Sequence, residues 1–112
     1  MDSLDDVPLE DQVAVAVTRL QADDARWHAV EANGVTTVTR AWDDDAETVD
    51  TLMLLSPDTA YGVREDAQSH RTWSQRGTLA QIIGTAARLA SPDSPDAPKS
   101  GGREALPRTD GL

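Results

Sequence analysis

The sequence predicts an α+β domain in which a helix, four or five antiparallel strands in meander order and a second helix follow one another, with both helices packed on one face of the sheet. Three observations lead to this prediction. Apolar residues recur at helical spacing near both ends of residues 1–90, an Asn-Gly dipeptide separates two alternating segments, and short strand-like runs alternate with turn residues between them. A chain of 112 residues has room for one such core.

The first predicted helix covers residues 9–22. Its apolar positions fall on one helical face at the i, i+4, i+8 and i+11 spacing, and they are Leu9, Val13, Val17 and Leu20. An amphipathic face of this kind needs a sheet or a second helix to cover it. We therefore expect this face to contribute to the core.

An Asn-Gly dipeptide at positions 33–34 predicts a tight hairpin between residues 26–32 and 35–42. This dipeptide readily supplies the two positive φ angles of a type I′ turn. A two-residue loop places Ala29 opposite Val38, and that pairing fixes the register of both strands.

This register divides the hairpin into two faces. We expect the face with Trp27, Val38 and Trp42 to be buried, because a Trp side chain removes about 150–250 Å² from water. Arg40 shares that face and should lie near its edge, as should Glu31. The opposite face is expected to be open, and its residues are His28, Val30, Ala32, Val35, Thr37 and Thr39.

Three further strands and a helix complete the predicted domain. Residues 49–55 are apolar on both parities, which is typical of a central strand buried on both faces. Residues 60–65 form the fourth strand, and residues 71–75 fit a short fifth one. The second helix begins at a capping box made by Thr78 and Gln81 and runs to about residue 90.

Composition divides the chain into one domain and a tail. Residues 1–90 form the predicted α+β domain. Residues 91–112 are rich in Pro, Gly, Ser and Asp and contain little that could be buried, so we expect a disordered tail. A protein with such a tail and such a domain is suited to contacts with other proteins.

Charge excludes several classes of partner. Twenty acidic residues against ten basic ones give a net charge of −10, which repels nucleic acids and anionic membranes and favours a basic protein surface. Asp outnumbers Glu and Arg outnumbers Lys, a halophilic-like composition that a GC-rich genome would also produce. The acidic start and the lack of any long apolar run indicate a cytoplasmic protein with no membrane segment.

No residue pattern indicates a catalytic, metal or cofactor site. His28 and His70 are the only histidines, and neither has a partner at metal-ligand spacing. The acidic run at residues 43–47 lacks the Gly and Glu positions of a calcium loop and is expected to be a solvated loop. The chain has no cysteine, which excludes disulfides, thiolate metal sites and cysteine nucleophiles. Together these observations lead us to expect no cofactor and no bound metal.

These observations favour a non-catalytic protein-binding or regulatory module that can self-associate through its sheet. The candidate interface residues are Val30, Val35, Thr37, Thr39 and Trp73, the last being the aromatic residue that we expect to be exposed. The alternative is a small enzyme that uses His28 or His70 with a carboxylate in a pocket that the sequence does not reveal.

Overall fold

The computed structural model of the protein describes residues 8–98. Within them, two helices flank five strands in the chain order α1 (Leu9–Asp23), β1 (His28–Ala32), β2 (Val35–Ala41), β3 (Val49–Ser56), β4 (Thr59–Glu65), β5 (Arg71–Gly77) and α2 (Leu79–Arg88). This order confirms the predicted fold class and includes the fifth strand. No helix in this part of the chain is long and apolar enough to cross a bilayer.

The five strands form one antiparallel sheet in which strands adjacent in sequence are adjacent in space. Asn33 and Gly34 join β1 to β2, and their φ angles of 55° and 80° are those that a type I′ turn requires. Ala29 lies opposite Val38. The register predicted from the turn is therefore confirmed.

The core lies between one face of the sheet and the two helices. α2 packs over β3, β4 and β5, and α1 packs against α2. The capping box of Thr78 and Gln81 starts α2 as predicted, with the hydroxyl of Thr78 accepting from the Gln81 backbone N–H at 3.1 Å. The buried apolar side chains of the core are Val13, Ala16, Leu20, Trp27, Val38, Leu52, Leu54, Ala60, Trp73, Leu79, Ile82, Ile83 and Ala86. Trp27 and Val38 thus lie on the buried hairpin face, as predicted.

Trp73 belongs to this core and is only 8% exposed, so the prediction that it is exposed is wrong. Its indole ring lies against Gly62 on β4, where a Cβ atom would collide with the ring. The missing side chain at Gly62 leaves the space that Trp73 fills. This contact joins β4 to β5 and does not follow from the local sequence of either strand.

The first part of the predicted tail continues from α2 as two turns. The backbone N–H of Ser94 donates to the carbonyl of Ser91, and that of Ala97 donates to the carbonyl of Ser94. Ala97 is buried, so residues 91–98 lie against the domain. The rest of the tail, residues 99–112, lies outside the described residues, and the domain boundary at residue 90 stays a prediction.

Candidate functional site

The sheet face opposite the helices is left uncovered by both of them. We call it the open face and define it by the outward-pointing residues of β1 to β4. On β1 to β3 these are His28, Val30, Ala32, Val35, Thr37, Thr39, Ala41, Val49, Thr51, Met53 and Leu55, and on β4 they include Tyr61, Val63 and, at the end of the strand, Glu65. None of the residues from β1 to β3 is acidic, in a chain with twenty acids.

Four of the five candidate interface residues lie together on the open face. Val30 on β1 is directly opposite Thr37 on β2, and Val35 and Thr39 flank Thr37 along the same strand. Val30 is 55% exposed, whereas the three β2 residues are half-buried by their neighbours. Trp73 is absent from this group because it points toward the helices.

Met53 extends the open face into the centre of the sheet. It pairs with Thr37 on β2 and with Tyr61 on β4, and it is 41% exposed. The apolar run of β3 led us to expect burial on both faces, and Met53 shows that this expectation is wrong for the side opposite the helices. An exposed methionine beside a tyrosine is a surface that adapts readily to a partner.

The helix-side face carries a charged row that the sequence did not reveal. Arg40, Asp50 and Arg64 are direct cross-strand neighbours on β2, β3 and β4, and all three are buried. The guanidinium of Arg40 donates to Asp50 Oδ2 at 2.9 and 3.1 Å, and that of Arg64 donates to Asp50 Oδ1 at 2.6 Å. The prediction that Arg40 lies near an edge is therefore wrong, because its guanidinium is buried in an ion pair with Asp50.

Two tryptophans cover this row from the side of the hairpin. The guanidinium of Arg40 lies over the rings of both Trp27 and Trp42, at 4.2 and 4.5 Å from their centroids. Arg26 covers the outer face of Trp42 at 4.1 Å. Alternating cations and aromatic rings are held by the attraction between charge and ring quadrupole. The indole N–H of Trp42 also donates to Asp50 at 2.8 Å.

A second carboxylate, that of Asp24, lies at the partly exposed end of the charged row. Asp24 forms ion pairs with Arg26 at 2.7 Å and with Arg40 at 3.1 Å. The hydrogen bonds from Arg26, opposed in part by burial and assisted by Arg40, hold the pKa of Asp24 well below its ordinary value.

The charged row links the sheet to the end of α2. The Nη1 atom of Arg64 donates to the carbonyl of Ala90, just after the helix, at 2.6 Å. Every buried side-chain N or O atom in residues 8–98 has a hydrogen-bond partner. A set whose donors are already engaged holds elements together and leaves no group oriented toward a ligand. The charged row therefore has a structural role, since it links β2, β3 and β4 to the residues that follow α2.

The two histidines occupy exposed positions outside the charged row. His28 lies on edge strand β1, and His70 lies just before β5 with 73% of its side chain exposed. The Nδ1 atom of His70 is 3.2 Å from Asp66 Oδ2. Asp66 also accepts the backbone N–H groups of Gln68 and His70, and these bonds lower its pKa. Its contacts are those of a turn-forming aspartate.

The acidic loop after β2 is only partly solvated. Asp43 and Asp45 are exposed, as predicted for a solvated loop. Asp44 instead accepts the backbone N–H and the hydroxyl of Thr48 at 2.8 and 2.7 Å, which lowers its pKa. Among residues 8–98, no three His, Asp or Glu side chains converge as metal ligands would.

Comparison with protein-family models, with curated proteins and with solved structures found no match to this chain. The function is therefore inferred from the geometry of the open face and of the surfaces around it.

Proposed function

We propose that the protein is a non-catalytic protein-binding module that self-associates through the open face of its sheet. The observation that carries the proposal is an apolar sheet face free of acidic residues on three adjacent strands of a chain with net charge −10. Like-charged surfaces repel, so two copies can approach each other only through a region that lacks acids. The open face is such a region.

The size of the open face suits a moderate interface. Four strands about 4.8 Å apart and about seven residues long, at about 3.3 Å per residue, cover a flat area of roughly 440 Å². Stable complexes bury about 800 Å² per partner, and side chains add relief to a flat area. A symmetric pair of sheets stacked face to face would bury Val30 and Met53, the two most exposed apolar residues of this face. Association in the micromolar range is the expected result.

Sedimentation velocity across the micromolar range tests this proposal. The unmodified chain should shift from monomer to dimer with rising concentration, and salt should tighten the dimer by screening its excess charge. Val35→Asp and Thr37→Lys should each keep the protein monomeric, because each places a desolvated charge at the centre of the interface. Ala22→Lys, on an exposed position of α1, is the matched control and should leave the dimer intact.

Two results would overturn the proposal. The first is a protein that stays monomeric at the highest soluble concentration. The second is a dimer that Thr37→Lys and Ala22→Lys weaken equally, since that would place the contact elsewhere. Far-ultraviolet circular dichroism of each variant separates loss of association from loss of folding.

The competing hypothesis is an enzyme that acts through His70 with Asp66, the histidine and carboxylate at 3.2 Å. A general base in water-exposed surroundings gains little from its partner, because solvent screens the charge. His70 is not one of the residues that define the open face, so His70→Ala should leave self-association unchanged. A catalytic role would require a substrate that covers both residues.

A further inference from the structure

A groove of about 710 Å³ runs between α1 and the β1–β2 half of the sheet, on the face opposite the open face. The groove is present because α1 packs mainly against α2, whereas α2 packs against β3, β4 and β5. The residues that face each other across the gap are small. Ala14 on α1 and Ala29, Gly34 and Thr36 of the hairpin line the gap, and residues of this size leave part of the space between helix and sheet unfilled.

The groove has an apolar lining and an acidic rim. Its apolar wall consists of Leu9, Val13, Val17, Ala29 and Leu54, from both α1 and the sheet. Glu10 on α1 and Glu31 on β1 line it from opposite sides, and both are exposed. No basic residue lines the groove. A ligand that enters it meets apolar side chains first and negative charge at the edges.

We propose that this groove binds a basic amphipathic helix of a partner protein. Its α1 wall runs from Leu9 to Thr18, nine residue steps of about 1.5 Å or roughly 14 Å, which matches two to three turns of a second helix. Leu9, Val13 and Val17 form a stripe along α1, and a helix packed on such a stripe offers apolar residues at i, i+3, i+4 and i+7. Lysine or arginine beside that apolar face would meet Glu10 and Glu31.

The negative charge of the chain argues against two other ligands of the groove, an anionic molecule and a second copy of this chain. The groove belongs to a chain of net charge −10, so an anionic ligand would be repelled both by the rim and by the whole molecule. A second copy of this chain would bring further acids to the rim, unlike the β1 to β3 part of the open face, which carries no acidic residue. The groove and the open face lie on opposite sides of the sheet, so one molecule can use both at the same time.

Titration of the full-length ¹⁵N-labelled protein with a synthetic helix tests the proposal. The probe is a peptide of about fourteen residues, with leucine at i, i+3, i+4 and i+7 and lysine elsewhere. The control peptide keeps the leucines and replaces every lysine by glutamate. The lysine peptide should shift the backbone amide resonances of Val13, Ala29 and Gly34 and saturate in the micromolar range, and the glutamate peptide should not.

Paired variants separate the groove from general attraction between opposite charges. Glu10→Gln with Glu31→Gln should weaken binding of the lysine peptide about fivefold or more, as expected for two exposed ion pairs. Asp45→Asn with Glu47→Gln changes the net charge by the same amount at exposed loop positions and should weaken it less than twofold. Equal weakening by both pairs would overturn the proposal.

A variant that fills the groove tests the apolar contribution separately. Ala14 is exposed and lines the groove, so Ala14→Trp should occupy the space and abolish binding while the thermal transition stays within a few degrees of the original. Unchanged binding to Ala14→Trp would overturn the proposal. So would contacts between Leu106 and Val17 methyl groups in the free protein, because the chain's own terminus would then be the occupant.

Discussion

An Asp50→Asn substitution should remove a large part of the free energy of unfolding. Asp50 is fully buried and accepts five hydrogen bonds, two from Arg40, two from Arg64 and one from Trp42, at 2.6 to 3.1 Å. Asparagine has nearly the same shape, but it carries no charge and offers one acceptor oxygen instead of two. Arg64, which is 1% exposed, would then hold its charge in the interior without a carboxylate.

The magnitude follows from the burial of the pair. Removing one partner of a buried ion pair costs about 3–5 kcal/mol, whereas a small domain is stable by about 5–15 kcal/mol in total. Arg40 keeps its contact with Asp24 at 3.1 Å, so we expect a loss near the lower end, about 3 kcal/mol. At about 4–8 °C per kcal/mol, the Tm should fall by about 12–24 °C.

Urea unfolding followed by circular dichroism measures this loss, since the fluorescence of Trp42 would itself respond to the substitution. Asp43→Asn, at an exposed position of the same chain segment, should change the free energy of unfolding by less than about 0.5 kcal/mol. Replacing Arg40, Asp50 and Arg64 together by Met, Leu and Met should recover much of the stability, because no charge is then left buried alone. A loss below about 1 kcal/mol for Asp50→Asn would refute the argument from desolvation.

Two further substitutions and one pH series test the packing and the ion pairs. Gly62→Ala should destabilise the domain by about 1–3 kcal/mol, because the added Cβ would collide with the indole ring of Trp73. Gly84→Ala should instead stabilise the domain by about 0.5–1 kcal/mol, because Gly84 lies in a helix and its added Cβ would meet only a flexible guanidinium at 3.6 Å. Urea unfolding of both variants compares the two effects, and equal effects would contradict this prediction. The pKa of Asp24 is lowered by folding. Its contribution to the free energy of unfolding is therefore complete above its unfolded pKa of about 4 and is lost as pH falls below that value. The difference in unfolding free energy between the original protein and Asp24→Asn should therefore be constant above about pH 5 and shrink below about pH 4; a difference that stays constant on acidification would contradict the assigned ion pairs.

Elements and topology could be predicted because their signals are local. The Asn33-Gly34 turn sets the hairpin register through its own backbone angles, and Thr78 and Gln81 mark the start of α2 through bonds three residues apart. Strand parity then follows from the register, since successive side chains alternate between faces. Val30, Val35, Thr37 and Thr39 could therefore be assigned to one face before the structure was known.

Whether a side chain is buried or exposed depended on which other strands and helices pack against it. Trp73 was expected to be exposed, but Gly62 on the neighbouring strand provides the space in which it is buried. Met53 was expected to be buried, but neither helix covers its side of the sheet. Nothing within a few residues of either position carries this information.

The sequence by itself determined the order of elements, the hairpin register and the absence of acids from the outward-pointing residues of the hairpin, because each depends on neighbouring residues or on composition. Only the tertiary structure decided that Arg40, Asp50 and Arg64 form one buried row and that a groove remains beside α1. A charged residue in an apolar strand is a signal that a partner exists, but the partner's identity depends on which strands become neighbours. The groove likewise depends on where α1 comes to rest, which is set by its packing on α2, about seventy residues along the chain from it.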